Sequence, residues 1–457
     1  MPDPKRDSGA ALVRGLGPWD AVLLTIGSVV GTGIFITSAD IARALPHGGL
    51  LLAVWLAGGL LTLAGALTYA EMGAMFPDAG GIYLFLREAW GPLPAFLYGW
   101  GAFLVIMSGG IAALAVGFGV YLGSFLPWFS SSHVLADHEL AGYLWKLTGA
   151  QVAGAGAIVA LTAINHFGLK QGAWTQNLLT AVKVAAFAAF CIGGFLVPAR
   201  ASLDLAAPVS TSGLLAVVGV GMIAALWTYD GWYATTFSAG EMRDPARTLP
   251  FGIVGGTLAV TVLYLILNVV YLRAIPIERM GAEERIGEAA AAALFGAAGG
   301  QAIAAAIVLS TFGCLASTIL YSSRIYGPMA ADGIFFPALA RIHPKWRVPT
   351  RSLWWQSAWA LALTLSGTYD QLYTYVVFVA VLFHALAAGA VFRLRRLRPE
   401  VPRPFRVPLW PWIPLAFLAA SLLLAVNTLF ERPVESIAGL GLLALGLPAY
   451  SLFRRGR

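Results

Sequence analysis

Residues 27–33, which read Gly-Ser-Val-Val-Gly-Thr-Gly, place small and hydroxyl-bearing residues inside an apolar run. These residue types hold a helix poorly, so we expect the helix to be interrupted here. Backbone groups freed in hydrocarbon are costly unless they line a cavity or meet a ligand. The amides of Gly31, Thr32 and Gly33 would head the following half-helix and favour a carboxylate. The segment therefore predicts one half of a binding site.

A second interruption is predicted at residues 227–232, Trp-Thr-Tyr-Asp-Gly-Trp. Asp230 lies midway along an apolar run, where a charged carboxylate costs at least ~2.5–3.5 kcal/mol, and Gly231 supplies backbone freedom. Carbonyl groups at the end of each first half-helix would accept hydrogen bonds from an ammonium group. A site for a carboxylate and a nearby ammonium fits an α-amino acid. The predicted substrate-binding residues are Ile26, Gly27, Ser28, Gly31, Thr32, Gly33, Trp227, Thr228, Asp230 and Gly231.

Each interruption also has a simpler interpretation. Gly27 and Gly31 have the spacing with which small residues let membrane helices pack closely. Asp230 could be a structural residue paired with a hydroxyl group. The presence of two interruptions at equivalent places in one chain favours the binding interpretation.

Lys183 is the one lysine that falls inside a predicted membrane span. It lies about ten residues into the fifth apolar run, roughly 15 Å from its start. Snorkelling to the interface over that distance is strained, which favours a partner within the bundle. A lipid-facing or purely structural lysine is the alternative.

These residues belong to a chain of 457 residues that is 59% hydrophobic and 11% charged, with a mean hydropathy of +0.77. Soluble proteins carry roughly 25% charged residues, so the composition indicates an all-α polytopic membrane protein. We expect twelve transmembrane helices, one for each apolar stretch of spanning length. The stretches lie at residues 19–37, 49–75, 93–127, 150–167, 173–198, 213–240, 250–273, 299–330, 352–367, 371–393, 408–428 and 434–453.

The basic residues predict how these helices are oriented. With the amino terminus inside, the cytoplasmic segments hold about three times as many Lys and Arg as the outer segments. We therefore expect both termini in the cytoplasm and the protein in the cell (inner or plasma) membrane. This topology explains the net charge of +7 more simply than nucleic-acid binding does.

Three charged segments are open to two interpretations each. The basic residues of 393–406 either set the orientation or bind anionic lipid headgroups. The charged residues of 77–90 and 241–247 either form an inner gate or face water.

The two predicted interruptions fall in the first and sixth spans, each of which opens a block of five. Since a block of five spans ends on the opposite face of the membrane, two such blocks form an inverted repeat with a site at mid-membrane. The predicted segments are a tail (1–18), the first repeat (19–198), an outer loop (199–212), the second repeat (213–395), a basic loop (396–407), two further helices (408–453) and a second tail (454–457).

Metal, cofactor and enzyme chemistry find little support in the sequence. Cys191 and Cys314 are the two cysteines, and both lie in apolar runs where small buried side chains are expected. We find no metal-ligand spacing and no nucleotide-binding motif, so no metal, cofactor or ATP is expected. Without a paired nucleophile and base the chain is not expected to be an enzyme. A transport-inactive amino-acid sensor is a further alternative, which the short tails disfavour.

Five stretches, taken together, resemble one family of transporters. They are residues 26–35 (IGSVVGTGIF), 71–92 (EMGAMFPDAGGIYLFLREAWGP), 227–250 (WTYDGWYATTFSAGEMRDPARTLP), 321–337 (YSSRIYGPMAADGIFFP) and 403–408 (RPFRVP). The chain resembles the amino acid–polyamine–organocation (APC) transporters, and within them the L-type amino-acid transporter (LAT) branch.

The resemblance implies a LeuT-type fold of two five-helix repeats, with discontinuous helices one and six and two extra carboxy-terminal helices. It also implies alternating access, in which an aromatic residue at the position of Trp227 closes over the substrate as a gate. An ordinary packing role for Trp227 is the alternative.

The resemblance further implies that Lys183 stands where sodium-coupled relatives bind a cation. There it would bridge the first interruption and hydroxyl groups of helix eight, here Ser317 and Thr318. Its fixed charge would make sodium unnecessary, and a lysine able to release its proton would allow proton linkage.

Two departures from the family pattern bear on partners and substrate. Animal members join a single-span glycoprotein through a cysteine between helices three and four, whereas residues 129–149 contain none. No disulfide-linked heavy chain is therefore expected, and a monomer is compatible with the sequence. Asp230 stands where several relatives have glycine, so it could line a hydrated vestibule or favour a cationic side chain.

The predicted function is sodium-independent secondary transport of L-amino acids by exchange or facilitated uptake, with neutral amino acids favoured. The alternative is a proton-coupled symporter or exchanger of cationic amino acids or polyamines.

Overall fold

The computed structural model describes residues 15–77, 80–140, 143–167, 173–203, 205, 214–346 and 348–455. Most of this length is helical. Within it the α-helices are α1 (Pro18–Val29), α2 (Thr37–Ala44), α3 (Gly48–Met75), α4 (Ile82–Trp90), α5 (Pro92–Gly101), α6 (Met107–Leu122), α7 (Gly149–His166), α8 (Ala173–Leu196), α9 (Leu214–Tyr229), α10 (Pro245–Ala274), α11 (Ile277–Met280), α12 (Ile286–Ser322), α13 (Tyr326–Ala331), α14 (Thr350–Ser366), α15 (Tyr369–Leu397), α16 (Trp412–Glu431), α17 (Pro433–Ala444) and α18 (Gly446–Arg455). Short 3₁₀ helices lie at Gly33–Phe35, Pro127–Phe129, Ala234–Glu241 and Pro337–Ala340.

The helices have the length and composition of membrane spans. Among the described residues, eight helical stretches are long and apolar enough to cross a bilayer. They are Gly48–Met75, Pro92–Leu122, Leu214–Glu241, Pro245–Ala274, Ile286–Ala331, Tyr369–Leu397, Trp412–Glu431 and Pro433–Phe453. Two apolar helices, Pro18–Val29 and Thr180–Leu196, are shorter. The chain is thus an integral membrane protein, and the finer expectation of twelve spans stays a prediction.

α1 and α9 both end within the glycine-containing segments. α1 ends at Val29, because Val30 leaves helical geometry with φ −76° and ψ 85°. The chain then continues through the 3₁₀ turn Gly33–Phe35 into α2. α9 ends at Tyr229, and Gly231 adopts a φ of +95° before the 3₁₀ helix Ala234–Glu241. Both helical paths are therefore discontinuous.

The connection between α6 and α7 contains a β-hairpin, which corrects the purely helical expectation. β1 (Val134–Leu140) pairs antiparallel with β2 (Tyr143–Thr148). In this pairing His138 lies opposite Trp145, and their rings stack with an interplanar angle of 8°. The Trp145 Nε1 also donates to the Leu365 carbonyl at 2.9 Å. Cross-strand pairs and this hydrogen bond to α14 stabilise the segment. It lies between two predicted spans, where the sequence predicts no regular structure.

α5 and α6 form one helical path with a π turn, Ala102–Ile106, between them. The Ser108 hydroxyl donates to the Phe103 carbonyl, five residues earlier, at 2.6 Å. Such turns insert one additional residue into a helix and occur often at functional sites.

The packing of the two discontinuous helices is reciprocal. α1 packs against α10 and α8, whereas α9 packs against α3 and α15, and α3 and α10 pack against each other. This arrangement brings the carboxy-terminal ends of α1 and α9 to the centre of the bundle, where Val30 and Trp227 are buried.

Candidate functional site

A cavity of about 40 Å³ lies between the interruptions of the two helices. Eight of the predicted site residues line it: Ser28, Gly31, Gly33, Trp227, Thr228, Asp230, Gly231 and Thr318. The remaining predicted residues, Ile26, Gly27, Thr32, Lys183 and Ser317, are not part of its lining. Since one water needs about 10–15 Å³ of such space, this cavity has room for a few waters.

The two interruptions touch each other at glycines. A Cβ on Gly33 would lie 2.6 Å from the Thr228 Oγ1 and 2.9 Å from the Thr228 Cα. A Cβ on Gly231 would lie 2.7 Å from the Ser28 carbonyl oxygen, in addition to the strain of a φ of +95°. These glycines let one helix end approach the other at backbone distance, which no other residue type permits.

Hydroxyl pairs join the two interrupted helices on both sides of the cavity. The Thr25 and Thr235 hydroxyl oxygens are 2.6 Å apart. The Thr37 and Thr228 hydroxyl oxygens are also 2.6 Å apart. Thr25, before the first interruption, is therefore bonded to the segment after the second interruption. Thr37, after the first interruption, is bonded to α9, before the second.

The backbone groups at the end of α1 are partly used within the protein. The Gly31 amide donates to the Val29 carbonyl at 2.8 Å. The Tyr264 hydroxyl lies 3.1 Å from the Val29 carbonyl and 3.2 Å from the Thr228 carbonyl. Tyr264 therefore joins the ends of α1 and α9, a role that its position in an apolar helix did not signal. Within the described residues, the Thr32 amide donates to no backbone carbonyl.

Lys183 contacts the first interruption from behind the cavity. Its half-buried side chain donates from Nζ to the Val30 carbonyl at 2.8 Å. Ser317 and Thr318, the hydroxyl residues that the resemblance places near Lys183, lie on α12. The Thr318 hydroxyl donates to the Cys314 carbonyl of the same helix at 2.8 Å, and Ser317 is half-buried. A cation thus satisfies a carbonyl group that the end of α1 leaves free.

Trp227 forms the wall of the cavity nearest to α15. Its indole Nε1 donates to the Tyr369 hydroxyl at 2.8 Å, and the Tyr369 hydroxyl lies 3.3 Å from the Thr32 Oγ1. The Tyr373 ring stacks on Trp227 with an interplanar angle of 16°. Hydrogen bonds and stacking therefore hold Trp227 in this position.

A charged vestibule lies on the other side of Tyr369. This second cavity has a volume of about 260 Å³, and its lining includes Asp40, Arg43 and Asp370. Arg43 pairs with Asp40 at 2.8 Å and donates to the Gly281 carbonyl at 2.9 Å. Tyr369 belongs to the lining of this vestibule and contacts Trp227 of the central cavity, so it separates the two.

Asp230 lies at the opposite side of the central cavity. Its carboxylate lies close to the Gly231 amide and the Tyr233 hydroxyl. Tyr321 lines the cavity on the same side and stacks against Phe237 at an interplanar angle of 17°. The carboxylate therefore lies at the edge of the cavity, with neutral polar groups near it.

The segment 77–90 forms ion pairs within its described part. Asp332 accepts from Arg87 at 2.8 Å and from the Tyr83 hydroxyl at 2.5 Å. Burial, together with the neighbouring Asp332 carboxylate, raises the pKa of the Tyr83 phenol well above its usual range. Tyr83 therefore remains a neutral donor, and α4 is fixed to the chain that follows α13. Asp78 lies outside the described residues.

The basic segment 393–406 also has partners within the protein. The Arg395 guanidinium contacts both oxygens of the buried Glu71 carboxylate, at 2.8 and 2.6 Å, and stacks over Trp410. The Arg403 Nε lies 3.8 Å from Glu71. Part of this charge therefore serves an internal ion pair. In the segment 241–247, Glu241 pairs with Arg324 at 2.7 Å.

Several cavity residues were missed by sequence reasoning. They are Val29, Ile106, Met107, Gly110, Leu114, Cys314 and Tyr321. All lie in or beside apolar helices, where residue type does not reveal which face points inward. Val29 and Tyr321 lie within the quoted motifs at residues 26–35 and 321–337, and the other five belong to none of the five quoted stretches. Across the described residues, no cluster of His, Cys, Asp or Glu suits a metal ion.

Comparison with known proteins identifies the family. The amino acid permease profile matches residues 16–440. The serine/threonine exchanger SteT of Bacillus subtilis is 31% identical over 444 residues, which are 96% of this chain and 96% of the relative. The b(0,+)-type amino acid transporter 1 of Mus musculus is 27% identical, covering 97% of this chain and 88% of its own length. The large neutral amino acids transporter small subunit 2 of Homo sapiens is 28% identical, with coverages of 97% and 81%. The chain therefore belongs to the amino acid permease family, as an APC-superfamily transporter of the LAT-like kind and not an enzyme.

Proposed function

We propose that this protein carries L-amino acids across the membrane without sodium, by exchange or facilitated uptake in an alternating-access cycle. The observation that carries the proposal is the contact of two interrupted helices around one cavity, at Gly33 against Thr228 and Gly231 against Ser28. The helix ends supply amides for a carboxylate and carbonyls for an ammonium group at one place.

Small neutral amino acids suit this cavity best. Its volume of about 40 Å³ leaves little space for a side chain unless the walls move. A relative named as a serine/threonine exchanger supports the same substrate class. The carboxylate would lie at the amides of Thr32 and Gly33, because the Gly31 amide already donates to Val29.

The proposed architecture has twelve spans, with two inverted five-helix repeats and both termini in the cytoplasm. The reciprocal packing supports the repeats, since α1 packs on α10 as α9 packs on α3. α8 and α15 occupy matching places against α1 and α9. No disulfide-linked heavy chain is proposed, and the functional unit would be a monomer.

Two residues have specific roles in this proposal. Lys183 would replace the cation of sodium-coupled relatives, a role supported by its contact with the Val30 carbonyl at 2.8 Å. Trp227 would be the gate over the substrate, released when its bond to the Tyr369 hydroxyl breaks. Thr318 and Ser317 would complete the environment of the lysine on α12.

Asp230 supports a second candidate function. A carboxylate that lines the cavity would attract a cationic side chain, so the protein could be a proton-coupled carrier of cationic amino acids or polyamines. The two candidates differ in their response to a pH gradient and in their preference between serine and lysine.

Counterflow in proteoliposomes tests both candidates. Vesicles loaded with each unlabelled amino acid in turn are diluted into sodium-free buffer with the same labelled amino acid, and protein-free vesicles serve as the control. We expect labelled serine or threonine to accumulate at the same rate with and without sodium. Lysine uptake that depends on an inward proton gradient would favour the alternative. Absence of counterflow for all common amino acids would contradict the transport proposal.

A further inference from the structure

The wall that the α6 side gives to the central cavity is apolar and contains one glycine. Ile106, Met107, Gly110 and Leu114 line the cavity from this side. Residues 106, 110 and 114 are four apart, so they lie along one face of the helical path. Because Gly110 stands between residues with long side chains, it leaves a recess in the wall. We call this recess the Gly110 notch.

The space beside Gly110 belongs to the cavity and not to a neighbouring helix. Gly110 is buried, yet a Cβ added to it would meet no atom of any other described segment within 4 Å. On the same helix, a Cβ on Gly109 would lie 2.6 Å from the Val376 Cγ2, and a Cβ on Gly117 would lie 2.8 Å from the Thr32 Oγ1. Those two glycines let α6 approach its neighbours closely. Close packing does not account for Gly110.

The stability of the helix does not account for Gly110 either. Alanine has a higher helix propensity than glycine. Its methyl group would also fit at this place, since no other described segment occupies the space. The fold alone therefore favours alanine at residue 110, and the notch is available to a molecule bound in the cavity.

The α6 wall lies next to the place where the substrate is proposed to bind. A Cβ on Gly31, in the first interruption, would lie 3.0 Å from the Leu114 Cδ2. Gly110 is one turn of α6 away from Leu114, about 6 Å along the helix. The ends of α1 and α9 supply the amides and carbonyls for the two charged groups of an amino acid, whereas the α6 wall is apolar. The α6 wall therefore suits the side chain.

We propose that the Gly110 notch receives the methyl group on the β-carbon of the substrate and thereby sets the upper size of its side chain. This inference rests on the proposed function and narrows its substrate class to amino acids of about the size of threonine or smaller. Serine leaves the notch empty, threonine fills it, and a longer side chain meets the wall around it.

Gly110→Ala fills the notch with one methyl group. The test compares kcat/KM for two pairs of substrates in sodium-free proteoliposomes, serine with threonine and alanine with 2-aminobutyrate. The members of each pair differ by one methyl group on the β-carbon, with a hydroxyl group present in the first pair only. One methyl group in a tight apolar pocket changes kcat/KM about 10- to 200-fold. We expect threonine relative to serine, and 2-aminobutyrate relative to alanine, to fall at least about tenfold.

Gly313→Ala is the matched control. Gly313 is half-buried on α12 beside Cys314, its Cβ would meet no described atom within 4 Å, and it does not belong to the cavity lining. Both ratios should keep their wild-type values in this variant. Because alanine favours the helix at both positions, neither variant should melt below the wild type. A merely structural role for Gly110 would affect all four substrates alike.

Leu114→Ala tests the same wall in the opposite direction if Gly110→Ala does not fold. Shortening Leu114 enlarges the notch, so norvaline should gain about tenfold relative to 2-aminobutyrate. Unchanged ratios in a folded variant of either kind that still exchanges serine would overturn this inference alone. An equal loss for all four substrates in a folded Gly110→Ala protein would also overturn it. Absence of counterflow in the wild type would contradict the proposed function and, with it, the inference.

Discussion

Replacing Lys183 by methionine removes a charge and a hydrogen bond while keeping the length of the side chain. In the structure Nζ donates to the Val30 carbonyl at 2.8 Å. A hydrogen bond to a charged group contributes about 1.5–3 kcal/mol. Its loss destabilises this conformation relative to conformations that lack the bond, which corresponds to roughly 10- to 150-fold in the equilibrium between them. If each transport cycle passes through this conformation, the exchange rate of Lys183→Met should fall by a similar factor.

The assay is counterflow of the best substrate in sodium-free proteoliposomes, normalised to the amount of reconstituted protein. Lys345→Met is the matched control, because Lys345 lies in the connection after α13 and contacts the Trp346 ring. We expect the control to exchange at the wild-type rate. Melting temperatures of both variants separate a transport effect from a folding effect.

The reasoning is refuted if Lys183→Met is folded and exchanges within twofold of the wild type. That result would mean that the Val30 carbonyl is satisfied in another way, or that the cycle does not depend on this conformation. Lys183 would then be a structural lysine.

Three further predictions concern the cavity walls. Tyr369→Phe leaves the Trp227 indole N–H without its acceptor. Because a buried unpaired donor costs about 1–3 kcal/mol, the KM for exchange should rise about fivefold or more. An unchanged KM would mean that the ring of residue 369, without its hydroxyl, is sufficient to close the cavity. Gly33→Ala places a Cβ 2.6 Å from the Thr228 Oγ1, so both the melting temperature and the exchange rate should fall, whereas wild-type values would contradict the close approach. Cys314 lines the cavity, so in a variant without the other cysteine a methanethiosulfonate reagent should block exchange and substrate should slow that reaction; equal modification rates with and without substrate would contradict this placement.

The interruptions of α1 and α9 could be located from the sequence because their residue types conflict with their surroundings. Glycines at 27, 31 and 33 and an aspartate at 230 are costly in an apolar span, and the cost marks the place where the backbone is used for something else. The structure ends α1 at Val29 and α9 at Tyr229. Local composition was sufficient for this part of the site.

The partners of these residues could not be located in the same way. Tyr264 and Tyr369 meet the helix ends through hydroxyl groups, yet each lies in an ordinary apolar helix far away along the chain. Apolar periodicity is weak in a span that is hydrophobic on every face, so it does not show which side points inward. Contacts of this kind depend on packing between helices, which one sequence does not contain.

The ion-pair partner of Arg395 and Arg403 also could not be located from the sequence. Their number and spacing predict orientation or lipid contact, but Arg395 and Arg403 lie against Glu71, more than 300 positions earlier. Glu71 is fully buried, so it requires cations from within the bundle.

The π turn Ala102–Ile106 makes the path of α5 and α6 longer by one residue than a regular helix between the same ends. Each residue turns a helix by about 100°, so every side chain after the turn is rotated by that angle. Deleting one residue of the turn would restore regular geometry and swing Met107 and Gly110 out of the cavity wall. Deleting a single residue would therefore change which side chains line this wall, without substituting any of the remaining residues.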